Sequence, residues 1–285
     1  MSGLLATTND VWALFELPAI RRSALALLLA SIGLPVVGVL MIGLDVIPVR
    51  FAMMHTALLG VALGLLVGLD PILCALVLSA AAAMALAPLA GRPGGLSGPM
   101  GLLMTFAIAA ALLVLSISGV NATGAFELLW GSILATKPVD VWLLLAITVA
   151  TLTLFFTRRR SLGLLLFDRE TAICAGVGVG LLTTISLGLT AVAVASAMRL
   201  TGALLVDAVT LLPAIAARNV ARSLTSMVWW AIGVGVVGNG AGFLLALWLD
   251  QPPGPVLVIT VAVIALASYL PIIPGHRPAT KGTLH

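Results

Sequence analysis

Three side chains in this sequence have the types and setting for cation chemistry: Asp45, His55 and Asp207. Asp207 lies well inside the apolar stretch RLTGALLVDAVTLLPAIAARNVARS, residues 199–223. A charge at that depth in lipid costs roughly 2.5–3.5 kcal/mol or more, so an intramembrane carboxylate is read as functional by default. The structural alternative is a snorkelling or helix-capped Asp. Gly202 and Pro213 interrupt the stretch and allow a bent helix whose freed backbone groups face protein or a wet cavity. Arg218 and Arg222 close one end. From Asp207 to Arg218 a helix rises about 16 Å, which puts the carboxylate near the middle of a bilayer.

Asp45 and His55 flank a Pro-containing break, DVIPVR at residues 45–50, so a hairpin can bring them together. His55 follows Arg50 closely and is the shallower group; the three converge only if the 45–55 turn dips into the membrane. Two carboxylates and an imidazole suit a first-row divalent cation. Imidazole favours zinc, copper, iron or nickel, and carboxylate also admits manganese. Without the ion the carboxylates repel, and one takes up a proton. Met53 and Met54 adjoin His55 and are read as helix packing before soft ligands. His276 and His285 belong to a polar tail and are assigned nothing.

These groups must be positioned by a membrane. Of 285 residues, 61% are hydrophobic and 8% charged, whereas a soluble domain is about 25% charged. The chain reads as all-α, a polytopic transmembrane helical bundle forming a single domain over residues 1–285, with about eight or nine transmembrane helices and broken or re-entrant segments. Apolar runs fall at about 24–44, 51–69, 71–90, 100–119, 139–156, 172–190, 191–217, 226–249 and 256–273, and about 20 apolar residues cross the hydrocarbon. Residues 1–23 read as an interfacial segment, and residues 274–285 as a cytoplasmic tail. Gly60, Gly64 and Gly68 form a small-residue stripe where another backbone can approach. Pro35 and Gly38 are expected to bend the first run.

Charge orients the set. With Arg50 inside, ten of the fourteen basic residues fall in the cytoplasm, giving an outside N-terminus and an inside C-terminus. The net charge of +4 therefore reads as topology; no interleaved basic-aromatic stripe points to nucleic acid. Cys74 and Cys174 lie in apolar segments and read as buried thiols. No cleaved signal peptide is expected. No G-x-x-x-x-G-K-[ST] occurs, so any ATP is hydrolysed by another subunit.

Two further stretches carry possible contacts. Residues 121–138, NATGAFELLWGSILATKP, read as a short interfacial helix with Glu127 and an anchoring Trp130. The inside loop of about 157–175 contains Phe167, Asp168, Arg169 and Glu170, with Asp168 placed to cap a short helix. That helix docks in a groove of a partner, or the loop is merely attracted to anionic lipid.

At these residues the chain resembles the membrane-spanning permeases of ATP-driven zinc, manganese and iron importers, over roughly residues 20–273. GALLVDAVTLLPAIAARNVARS, HTALLGVALGLLVGL, LLWGSILA, FDRETAICAGV and GAGFLLALWLDQPPGPVLVIT carry the resemblance. It implies a homodimer or pseudodimer of permeases, cytoplasmic ATP-binding subunits and an extracytoplasmic metal-binding protein, in a bacterial inner membrane. It implies that His55 lies on the ion path, that the 167–175 region contacts the ATPase, and that the outward loop near Glu127 and Trp130 receives the binding protein. The transported ion, zinc before manganese, is cargo and not a resident cofactor. Two departures stand out: Phe51 occupies the place where many members have a Gly-Asp upstream of the His, and Asp207 stands where many have Ser. A metal chelate or vitamin permease and a proton-coupled secondary carrier are the alternatives.

Overall fold

The computed structural model describes residues 15–91, 95–118 and 133–269. Among these the regular elements are all helical: α1 Pro18–Gly43, α2 Val49–Val67, α3 Pro71–Leu86, α4 Ser97–Ile117, α5 Pro138–Phe167, α6 Arg169–Cys174, α7 Val179–Val220, α8 Leu224–Trp248 and α9 Pro253–Ala267. A 3₁₀ turn at Ala87–Gly91 prolongs α3. Among the described residues seven segments are long and apolar enough to span a bilayer; α9 is shorter. Pro opens α1, α3, α5 and α9, where its missing N–H costs no helical hydrogen bond.

The helix α7 is the hub. It packs against α1, α2, α3, α5, α8 and α9. Gly202 divides it, with φ 75° and ψ 167° inside an otherwise helical run; a side chain there would be strained, and only glycine adopts that backbone freely. The break thus falls at Gly202 and not at the 190/191 boundary expected from the apolar runs; Gly188, near that boundary, keeps helical φ/ψ. Residues 172–178 belong to α6 and a turn rather than to a span.

Two other boundaries differ from expectation. The helix α1 starts at Pro18, so residues 18–23 continue into the first span instead of lying apart, and Ser23 is buried with its hydroxyl donating to the Ile133 carbonyl at 2.7 Å. The Arg158–Arg160 run is helical within α5 and not a loop, since Arg and Leu are good helix formers. Pro35 lies within α1, which remains helical through it.

Helix contacts rely on close backbone approach and buried hydroxyls, as expected where lipid supplies no hydrophobic drive between helices. A Cβ added to Gly60 would sit 2.5 Å from the Ala75 Cα, and one on Gly64 would sit 2.7 Å from the Pro71 Cα. The expected stripe therefore seats α3 on α2 at two of its three members; Gly68 instead ends α2 in the left-handed region. Asn239 on α8 donates to the Ser31 hydroxyl on α1 at 3.0 Å, and Thr148 on α5 donates to the Leu29 carbonyl at 3.0 Å.

Candidate functional site

The site is built where α2 begins beside the second half of α7. There the Arg50 guanidinium forms an ion pair with the Asp207 carboxylate. Arg50 is nearly buried, its side chain 8% exposed, while Asp207 remains 36% exposed. The guanidinium carbon also lies 4.1 Å from the centre of the Phe51 ring, a cation–π contact. The Arg50 Nε has no hydrogen-bond partner among the described residues. One buried cation thus faces a carboxylate that keeps part of its surface open.

His55 stands on the same helix. Its Nδ1 lies 2.7 Å from the Phe51 carbonyl oxygen. A carbonyl only accepts, so Nδ1 carries the hydrogen, and in the neutral ring Nε2 holds the lone pair available to a cation. Five residues separate Arg50 and His55, which places them about 140° apart around the helix axis. The helix therefore cannot present both to Asp207 from one face.

Asp45 is exposed in the turn between α1 and α2. Its φ of 56° is a left-handed conformation that Asp adopts more readily than most residues; the turn geometry accounts for its type without a ligand. Among the described residues, no three His, Cys, Asp or Glu side chains are grouped to hold a metal ion. The three are not grouped as one metal cluster among the described residues: Asp207 pairs with Arg50, His55 sits about 140° around α2 from Arg50, and Asp45 lies in the connecting turn.

Arg50 is the residue that sequence reasoning placed elsewhere, as a loop charge setting topology. The signal was available: a carboxylate inside an apolar helix needs a partner, and Arg50 opens an apolar run.

At the other end of α5, Asp168 caps α6. Its carboxylate accepts from the Glu170 N–H at 3.2 Å, the Thr171 N–H at 3.1 Å and the Thr171 hydroxyl at 2.5 Å. The Thr171 hydroxyl first, then the Thr171 and Glu170 N–H groups, holds the Asp168 carboxyl below the usual carboxylate range. Ala172 is fully buried against the bundle, while Phe167 is 88% exposed. This anchored turn offers an apolar side chain outward. Cys174 is exposed, not buried as expected. Glu127 and Trp130 lie outside the described residues.

A cavity of about 360 Å³ opens between α2, α3 and α7, lined by Ala57, Val61, Asp70, Lys137, Ser196 and Met198 among others. It does not include Asp45, His55 or Asp207.

The profile described as the ABC 3 transport family matches residues 16–271. The chain is 26% identical over 216 residues to the high-affinity zinc uptake system membrane protein ZnuB of Haemophilus influenzae, covering 75% of this chain and 82% of that one. It is 28% identical over 227 residues to the manganese import system permease protein ScaB of Streptococcus parasanguinis, covering 79% and 80%. In fold it is similar to a chain of PsaBC from Streptococcus pneumoniae, solved in complex with a Fab, with a TM-score of 0.77, 23% identity and coverage of 92% and 95%.

Proposed function

The chain belongs to the ABC 3 transport family, and from that premise we propose that it is the permease of an ATP-driven importer of a divalent transition metal, zinc first and manganese next. The named cargoes of ZnuB and ScaB support that class of ion. The chain forms one domain in the bacterial inner membrane, its N-terminus outside and C-terminus inside, and pairs with a second copy of itself. It performs no bond chemistry. Cytoplasmic ATP-binding subunits engage Phe167, Asp168, Arg169 and Glu170, and an extracytoplasmic metal-binding protein docks near Glu127 and Trp130.

The observation that carries the reading is the Asp207 carboxylate, partly exposed within an apolar helix and held by Arg50. A dication moving through the protein needs oxygen and nitrogen donors to replace its hydration shell. Asp207 supplies the first, and the Nε2 of His55 the second. Because these donors lie on different sides of α2, they act as successive stations rather than one cage, with Asp45 a third at the turn. Arg50 occupies the cation's place at Asp207 in the resting state. The ion must displace it, which keeps an otherwise repulsive or protonated carboxylate charged between transport events.

Uptake of radiolabelled zinc and manganese by a bacterial strain lacking other importers, supplied with this chain and its partner subunits, tests the proposal. Zinc accumulation dependent on ATP supports it; transport that runs on a proton gradient without the ATPase contradicts it. The buried guanidinium favours one second reading, in which Arg50 receives a carboxylate of a metal chelate. Arg50→Gln abolishes uptake under that reading, whereas bare-ion transport survives it at a measurable rate.

A further inference from the structure

We infer that the groove between α5 and α8 at their arginine-bearing end is a binding site for the phosphate headgroup of an anionic phospholipid. The inference is independent of the cargo and rests on where the side chains of these two helices meet.

The register of the pair is set by two contacts. Phe156 on α5 and Trp229 on α8 have ring centres 6.1 Å apart. Nearer the end, a Cβ on Gly163 would lie 4.0 Å from the Leu224 side chain. The helices are therefore antiparallel here, and Arg159 and Arg160, one turn beyond Phe156, flank the first turns of α8. Arg158, Arg159 and Arg160 are all exposed, and none is in an ion pair among the described residues.

Above the arginines the surface is apolar. On α5, Trp142, Val149 and Phe156 are 70%, 55% and 45% exposed and recur every seven residues, so they share one face. On α8, Trp230, Val237 and Leu244 repeat the same spacing, with Trp229 beside them. An apolar wall ending in an aromatic pair and then in arginines matches the order of acyl chain, interface and phosphate in a lipid leaflet. Arg159 and Arg160 can donate paired N–H groups to phosphate oxygens, and the N-terminal end of α8 adds positive potential.

Charge decides between lipid and a second copy of the chain. No Asp or Glu occurs between Val141 and Phe167 or between Leu224 and Trp248. Self-association through this groove would bring arginines against arginines, whereas an anionic lipid neutralises them.

Native mass spectrometry of the purified full-length permease, offered equal amounts of phosphatidylglycerol and phosphatidylcholine, reads the site. Phosphatidylglycerol is retained preferentially, and Arg159→Gln with Arg160→Gln weakens its retention by roughly tenfold or more while leaving phosphatidylcholine unchanged. The charge-keeping pair Arg159→Lys with Arg160→Lys retains most of the preference, so a loss confined to the Gln pair is not a folding defect. The tail variant Arg277→Gln with Lys281→Gln has no effect. Equal retention of both lipids, no effect of the Gln pair, or an equal loss in the tail variant overturns the inference. Cross-linking of Trp229→Cys to the same position in a second copy also overturns it.

Discussion

Arg50, at the first turn of α2, pairs with Asp207, five residues past the Gly202 break in α7. The pair links the two helices on which every candidate donor deep in the bundle depends. Its members differ in exposure, 8% against 36%, so the carboxylate is the more accessible of the two.

Removal of one partner differs from removal of both. Losing one member of a fully buried pair costs about 3–5 kcal/mol, because the other charge is left uncompensated; the partial exposure of Asp207 brings the figure below that range. Asp207→Ala is therefore expected to lower the thermal midpoint in detergent, and Arg50→Met with Asp207→Leu to recover most of it. Transport stays lost in both. Recovery of uptake in the double variant would assign the pair to folding alone.

His55→Asn separates packing from ion contact. The shorter amide can still reach the Phe51 carbonyl but offers nothing at the place of Nε2. The protein is expected to accumulate in the membrane at normal levels while metal uptake falls about tenfold or more. Uptake at the parent rate would remove His55 from the path.

The seat of α3 on α2 tolerates no side chain. Gly60→Ala sets a methyl 2.5 Å from the Ala75 Cα, a backbone atom that moves only with its helix. Overpacking of this kind costs about 1–3 kcal/mol, and a drop in thermal midpoint reads it. Gly68→Ala tests backbone strain alone, since nothing lies within 4 Å of its Cβ position.

Capping of α6 carries a pH dependence of defined sign. The Asp168 carboxyl titrates below its ordinary value of 3.8 because Thr171 and Glu170 donate to its ionised form. A depressed folded value means that the cap's contribution is complete above the unfolded pKa and is lost as pH falls through the folded one. Hydrogen exchange in residues 169–174 is thus expected to show unchanged protection from neutral pH down to about 4 and added opening only below that. Asp168→Asn removes this acid dependence. If the opening begins near pH 6, a group other than Asp168 controls the turn.

Much of this was legible in the residues, and the exceptions have physical causes. The spans follow from apolar runs bounded by Pro and Gly, and Asp168 reads as a cap from its place before a short polar turn. Gly60 and Gly64 read as a contact face because small residues recur on one side. Gly68 has the same spacing, but the helix ends there, and spacing cannot distinguish a contact glycine from a terminating one. Arg158–Arg160 reads as a loop by charge, but helix propensity decides the backbone there. The partnership of Arg50 with Asp207 depends on how α2 packs on α7, which no local pattern encodes. That Arg50 and His55 lie on different faces of α2 is readable, since five residues turn a helix well past its starting face.

The most direct measurement is zinc and manganese uptake by the assembled importer carrying Asp207→Asn, with membrane insertion and protein level checked alongside. Asn keeps the shape and removes the charge that a cation would meet. Normal insertion with uptake reduced to the level of cells lacking the permease is the predicted result. Uptake equal to the parent for both metals would contradict the claim that this carboxylate receives the ion.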